Sequence, residues 1–154
     1  MREIKFRGKR MDNGEWVYGG YYRGIMEETD NPFNIDNARI KTIIIQNGIY
    51  YHVIPETVGQ FTEKKCRNKK EIYDGDIVET DSKKKLLVYW SNKEFAWKIK
   101  VFPQIWLGNK LTEKEDYFFH EYKDFAKYKD SSDVLDNLQI IGNTTDNPEL
   151  LEVK

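Results

Sequence analysis

The chain has 154 residues, with 25 Lys and Arg against 26 Asp and Glu, giving a formal net charge of −1. That length suits one domain over 1–154, or one domain carrying two small subdomains, large enough to fold without a covalent staple. One cysteine excludes an internal disulfide framework, near-zero charge argues against coating nucleic acid by bulk electrostatics, and no apolar run is long enough to span a membrane.

The kind of hydrophobe sets the expected fold class. There are fifteen Ile, eight Val, eight Thr and 22 aromatics, against eight Leu and three Ala. Branching at Cβ restricts χ1 in a helix but packs well on a pleated surface. A mainly β chain follows, built from hairpins into a small barrel or sandwich-like fold. A charge content of 33% is compatible, because half-buried strands alternate inward hydrophobes with outward charges.

In chain order, residues 1–7 alternate charge with hydrophobe and lack an apolar signal core, so a soluble cytoplasmic protein is expected. Ile4-x-Phe6 leads through Asp12-Asn13-Gly14 into Glu15-Trp16-Val17-Tyr18, with Asn13-Gly14 read as a two-residue turn. Residues 24–38 read as a loop, from Glu27-Glu28, Asn31-Pro32 and Asp36-Asn37. A second hairpin joins 41–46 to 49–53 through Asn47-Gly48. Asp74-Gly75 supplies a turn ahead of a strand at Ile77-Val78. A third hairpin runs along 86–90, turns at Ser91-Asn92-Lys93, and returns with Phe95, Trp97, Ile99 and Val101 on one face. The segment 112–130 is expected to be helical, because Thr112-x-x-Glu115 matches a capping box and Phe118, Tyr122 and Phe125 share a helical face. Those aromatics would also fit a strand. A last strand covers 138–142, and Leu150-Leu151 anchors the end.

Three ordered blocks carry a resemblance to a known family. They are residues 2–9 with Trp16-Val17-Tyr18-Gly19; Thr57-Val58-Gly59-Gln60-Phe61-Thr62 leading to Ile72-Tyr73-Asp74-Gly75-Asp76-Ile77-Val78; and Ile140-Ile141-Gly142-Asn143 with Asn147-Pro148-Glu149-Leu150-Leu151. Together they resemble the YopX family, small proteins of bacteriophage and prophage genomes. The resemblance implies a mostly β fold and a phage-derived protein in a bacterial host, and it implies no particular activity. One departure stands out. After Thr62 the family pattern continues with a Gly-Leu pair, an acidic residue and a glycine ahead of the Ile-Tyr block. This chain instead has Glu63-Lys64-Lys65-Cys66-Arg67-Asn68-Lys69-Lys70. A basic loop replaces the glycines that would ease a tight turn.

That loop is the densest charge cluster. Lys64, Lys65, Arg67, Lys69 and Lys70 are candidates for phosphate contact, with Phe61 or Tyr73 as a stacking surface. The alternative is a solvated turn whose charge is partly answered by Glu63 and Glu71. A second run, Arg7-Gly8-Lys9-Arg10, would extend the patch if the fold allowed it. Cys66 sits among cations that favour a thiolate, yet no histidine is adjacent, and His52 and His120 lie far along the chain. Asp74 and Asp76 form a close acidic pair, but Asp-Gly is first of all turn chemistry. No nucleophile elbow, phosphate loop, dinucleotide fingerprint or zinc spacing is present, so no catalytic residue, metal or cofactor is assigned. Trp16, Trp90, Trp97 and Trp106 are expected to be mainly core. Tyr21-Tyr22 and Tyr50-Tyr51 are different, because neighbours in a strand face opposite sides and at least one of each pair should leave the core face.

The resulting expectation is a phage or prophage accessory protein, not an enzyme, that binds a host or phage protein or assembles with itself. A nucleic-acid-binding module using loop 64–70 is the alternative.

Overall fold

The computed structural model describes residues 3–26, 39–81, 83–102, 116–118 and 138–152. The described chain holds eleven strands and divides into two compact units, 1–61 and 62–154. The mainly β, hairpin-built expectation holds. The strands form two antiparallel sheets, and neither closes into a barrel among the described residues.

In the first unit, β1 (Phe6–Lys9), β2 (Trp16–Met26), β3 (Arg39–Gln46) and β4 (Ile49–His52) lie in the order β4-β3-β2-β1. The start of β5 (Gly59–Lys65) flanks β1, with Phe6 opposite Gln60. The two Asn-Gly turns differ. Asn47 and Gly48 both adopt positive φ, 51° and 79°, and Gln46 pairs directly with Ile49. This is the two-residue hairpin whose twist matches the strands. At the first turn only Gly14 has positive φ, 73°, and the loop is longer than expected. Arg10 N–H bonds to the Glu15 carbonyl, and Gly14 N–H reaches the Arg10 carbonyl at 3.0 Å. The Asn13 side chain instead caps the loop, its oxygen accepting Glu15 N–H at 3.0 Å. The expected loop 24–38 also begins too early, because Gly24, Ile25 and Met26 pair with Lys41, Ile40 and Arg39 in β2 and β3. Residues 27–38 lie outside the described residues.

Val17, Ile44 and Val53 make this unit's core, with Phe6, Tyr51 and Val58 packed against them. Val53 seats directly on Gly8, where an added Cβ would stand 3.0 Å from the valine side chain. The same valine bridges to Arg10: Met11 N–H bonds to the His52 carbonyl at 3.0 Å and Ile54 N–H to the Lys9 carbonyl at 2.8 Å. The exit of β4 is therefore pinned to the end of β1. A 3₁₀ turn, Pro55–Thr57, follows, and Thr57 accepts Lys9 N–H at 2.8 Å.

In the second unit, β5 runs on beside β6 (Glu71–Tyr73). β7 (Asp76–Glu79), β8 (Lys85–Ser91), β9 (Ala96–Phe102), β10 (Asp116–Phe118) and β11 (Gln139–Asn143) form a sheet ordered β10-β9-β8-β7-β11. Val78 faces Leu86, Leu86 faces Val101, and Val88 faces Ile99. This alternation lines one face with apolar side chains, which join Cys66, Ile72 and Leu138 in a single cluster. Trp90 and Trp97 continue it as a cross-strand pair, with ring centroids 5.2 Å apart and nearly perpendicular.

Two expectations are corrected here. Phe95 is not an inward residue of the third hairpin. Ser91 pairs with Ala96, so Phe95 sits in the turn at φ 50° with 79% of its surface exposed. The expected helix 112–130 is interrupted by strand: 116–118 pair with Lys98–Lys100, and the rest of that segment lies outside the described residues. The edge of β9 needs hydrogen-bond partners, and an aromatic-rich segment meets that demand better extended than coiled. Lys98 points away from the apolar face as its alternation requires, but it is buried and paired with Glu94 at 2.5 Å.

Candidate functional site

The five basic candidates gather on one hairpin. Lys64 and Lys65 end β5, and the turn closes with Cys66 N–H on the Lys70 carbonyl (2.9 Å) and Lys69 N–H on the Cys66 carbonyl (2.7 Å). Lys69 takes φ 57° there, the left-handed position that a three-residue hairpin loop requires. Glu63, which stands where the resembled pattern has its first glycine, is also left-handed, at φ 66°. Lys64, Lys65, Arg67, Lys69 and Lys70 are all exposed. Arg67 is held by Asp81 at 3.0 Å. The turn is anchored beneath by Arg67 N–H on the Leu138 carbonyl, at 3.0 Å.

The stacking half of the nucleic-acid expectation does not survive. Phe61 and Tyr73 are both buried, and the Tyr73 hydroxyl donates to Glu71 at 2.6 Å. Neither ring can offer a face to a base. The second basic run is likewise engaged in structure. Arg7 is buried with its guanidinium 4.8 Å from the centre of the Trp16 ring. Arg10 donates to both carboxylate oxygens of Asp12 and to Glu15. Its hydrogen bond raises the Arg10 pKa further and holds the Asp12 carboxyl below its usual value.

Cys66 is 2% exposed and belongs to the apolar cluster, so its thiol does not share the solvent of the lysines around it. The acidic doublet is built into a turn. Asp74 accepts Trp90 N–H at 3.3 Å, and Gly75 adopts φ 81°. Gly75 also donates to the Val88 carbonyl and accepts Thr144 N–H, both at 2.9 Å. Asp76 is buried and accepts Tyr73 N–H at 2.8 Å. Among the described residues, no three His, Cys, Asp or Glu side chains converge as a metal site would require. No helix among them is long and apolar enough to cross a membrane. Trp106 and His120 lie outside the described residues.

The feature that the sequence only hinted at is the outer edge of β4. Tyr50 is 64% exposed and Ile49 55%, while Tyr51 is half-buried beneath the Arg10 guanidinium. The expected divergence of the Tyr50-Tyr51 pair is therefore realised. Tyr21 and Tyr22 are both exposed. A hollow of about 750 Å³ opens beside β4, lined by Met11, Ile40, Lys41, Tyr50, His52 and Pro55 among others. Backbone parity can be read from Val53 N–H, which bonds to the Thr42 carbonyl at 3.0 Å. In an antiparallel ladder the direction of the amides alternates, so residues 49, 51 and 53 point toward β3 while Tyr50 and His52 point outward. Met11 takes the His52 carbonyl. Among the described residues, the N–H and C=O of Tyr50 and the N–H of His52 remain open.

These features define a small two-unit β protein with a sheet edge open at Tyr50 among the described residues, closed beyond it by Met11, and with a basic hairpin tip. The family model described as YopX protein matches residues 5–152, nearly the whole chain, and the chain belongs to the YopX family. No curated protein matches its sequence.

Proposed function

We propose that this YopX-family protein is a non-catalytic phage or prophage accessory factor of the bacterial cytoplasm that binds other protein chains along β4. The observation that carries the reading is the open Tyr50 backbone flanked by the exposed Ile49 and Tyr50 side chains. Sheet edges in monomeric proteins are commonly blunted by lysine, proline or a bulge. β4 reads Ile49-Tyr50-Tyr51-His52 and carries none of these. An extended strand added there gains main-chain hydrogen bonds, and side-chain pockets such as the adjoining hollow give selectivity. The test is affinity capture from induced or infected host cells with the wild-type chain beside an Ile49→Lys/Tyr50→Pro variant. Proteins retained by the first and lost from the second support the reading. Equal retention by both sinks it.

A second reading rests on the tip. Lys64, Lys65, Lys69 and Lys70 are exposed and have no acidic partner among the described residues. With the aromatics buried, such a tip would grip only phosphates, without regard to sequence. Binding to single-stranded DNA should fall steeply with salt and disappear when these four lysines are changed to Gln. Undetectable binding at low salt removes it.

A further inference from the structure

We propose that the exposed tyrosine face of the first sheet is a binding surface for single-stranded nucleic acid. It lies on the side of the sheet away from Val17 and Ile44, and it uses neither the open β4 backbone nor the lysines of the tip.

Alternation builds this face. Tyr18, Gly20, Tyr22 and Gly24 share one side of β2, because Val17 on the other side is core. The ladder sets Ile45 opposite Gly20, Ile43 opposite Tyr22 and Lys41 opposite Gly24. One strand further on, Tyr50 and His52 stand opposite Ile45 and Ile43. Tyr18 is 37% exposed, Tyr22 43% and Tyr50 64%. Three exposed rings on one face form the kind of patch that marks an interaction site.

The glycines shape it. A Cβ on Gly24 would collide with the Tyr22 hydroxyl and the end of its ring, so that ring lies down along β2 with a face toward solvent. At Gly20 a Cβ would meet nothing within 4 Å, which leaves open floor between Tyr18 and Tyr22. Those two tyrosines start roughly 13–14 Å apart on an extended strand, and Tyr50 lies two strands across, roughly 10 Å from β2. Rings spread over a pleated face in this way stack two or three unpaired bases.

Charge selects the occupant. β1 to β4 contain no Asp or Glu; carboxylates of the same unit, such as Asp12, Glu15 and Glu56, fall outside its strands. Lys9 opposite Trp16 and Lys41 opposite Gly24 share the face of the tyrosines, and His52 is exposed there beside Ile43. Cations interleaved with aromatic rings, and no strand carboxylate to repel a phosphate, suit the backbone and unstacked bases of a single strand. A neutral sugar would use the rings but not the lysines. A duplex offers phosphates but keeps its bases stacked, so the rings would go unused. The net charge of −1 is compatible, because binding here draws on the local field of one face.

The test is an anisotropy titration of the full chain with labelled single-stranded DNA and RNA of mixed sequence, beside a duplex of equal length. Single strands are expected to bind about tenfold or more tighter than the duplex. Tyr18→Ser/Tyr22→Ser should weaken binding by about tenfold or more, and Tyr22→Phe should leave it nearly unchanged. The variant with Lys64, Lys65, Lys69 and Lys70 changed to Gln should keep the preference for single strands. Cross-linking of the unmodified chain to an oligonucleotide carrying iodouracil, read by mass spectrometry, should place adducts on Tyr18, Tyr22 or Tyr50. That outcome stands even if a variant fails to fold. No binding at low salt overturns the proposal, as do equal affinity for the duplex, undiminished binding by a folded double variant, or adducts that avoid all three tyrosines. Capture of a host protein that is lost with the same two substitutions, without oligonucleotide binding, would give the face to a protein and also overturn it. Capture through β4 is read with substitutions at Ile49 and Tyr50, so that reading stands or falls separately.

Discussion

Lys69 donates its backbone N–H to the Cys66 carbonyl at 2.7 Å from a left-handed conformation, and Lys83 repeats the arrangement with Thr80 at 2.9 Å. Cys66 N–H on Lys70 and Thr80 N–H on Lys84 complete the two loops. Both hairpins thus place a lysine where the geometry favours glycine. A side chain there costs about 1–2 kcal/mol, partly offset by the greater chain entropy glycine brings to the unfolded state. Lys69→Gly is expected to stabilise the fold by up to about 1 kcal/mol, seen as a higher urea midpoint with unchanged slope. Lys69→Ala removes the same charge but keeps the strain, so it should show no gain. Equal effects from both would refute the backbone account.

Gly19 and Gly20 are neighbours in β2 with opposite expected tolerance. A Cβ on Gly19 would collide with the Ile45 carbonyl, whereas one on Gly20 meets nothing within 4 Å. Gly19→Ala should cost about 1–3 kcal/mol, and Gly20→Ala less than about 0.5 kcal/mol. Thermal denaturation of the two variants settles the comparison. Similar melting temperatures would mean the sheet relaxes around residue 19.

Cys66 should behave as a core residue despite the cations beside it in sequence. A thiol reagent is expected to modify it only on the timescale of opening, and at once in denaturant. Cys66→Ser places a hydroxyl among Ile72, Val78, Leu86 and Leu138, at a cost of about 1–3 kcal/mol. Rapid labelling of the native protein would contradict the burial.

Acid should act on two carboxylates with known partners. The Arg10 hydrogen bond lowers the Asp12 pKa from 3.8, and the Lys98 hydrogen bond lowers that of Glu94 from 4.5. A carboxyl depressed on folding contributes stability that is full above its unfolded pKa and is lost as pH falls through the folded value. Stability should therefore decline as pH drops below about 4.5, with part of that slope absent in Asp12→Asn and Glu94→Gln. An unchanged slope in both variants would show that other groups govern acid sensitivity.

Much of the fold was legible because alternation reports directly on pleated burial. Trp97, Ile99 and Val101 were assignable to one face from spacing alone, and Asn47-Gly48 turned as its chemistry dictates. Phe95 was misread because period-two spacing continues through a turn without marking where pairing stops. The strand at 116–118 was misread because a capping box and an aromatic face describe a segment in isolation, while the edge of β9 supplies its partner. Tyr73 and Phe61 looked available for stacking because sequence proximity to lysines says nothing of which way a ring points. The β4 edge left one trace, the paired tyrosines. Its open backbone depends on strand order, which no local pattern encodes.

The Asp74-Gly75 turn has a consequence for biogenesis. Its glycine is clasped by Val88 from one side and Thr144 from the other, and Leu138 and Ile140 complete the nearby apolar cluster. A ribosome releases the N-terminal unit with all its hairpin partners close behind one another. The second unit must wait with an unfinished interior until β11 emerges, a window in which its Val- and Ile-rich ribbons are exposed to chaperones and proteases.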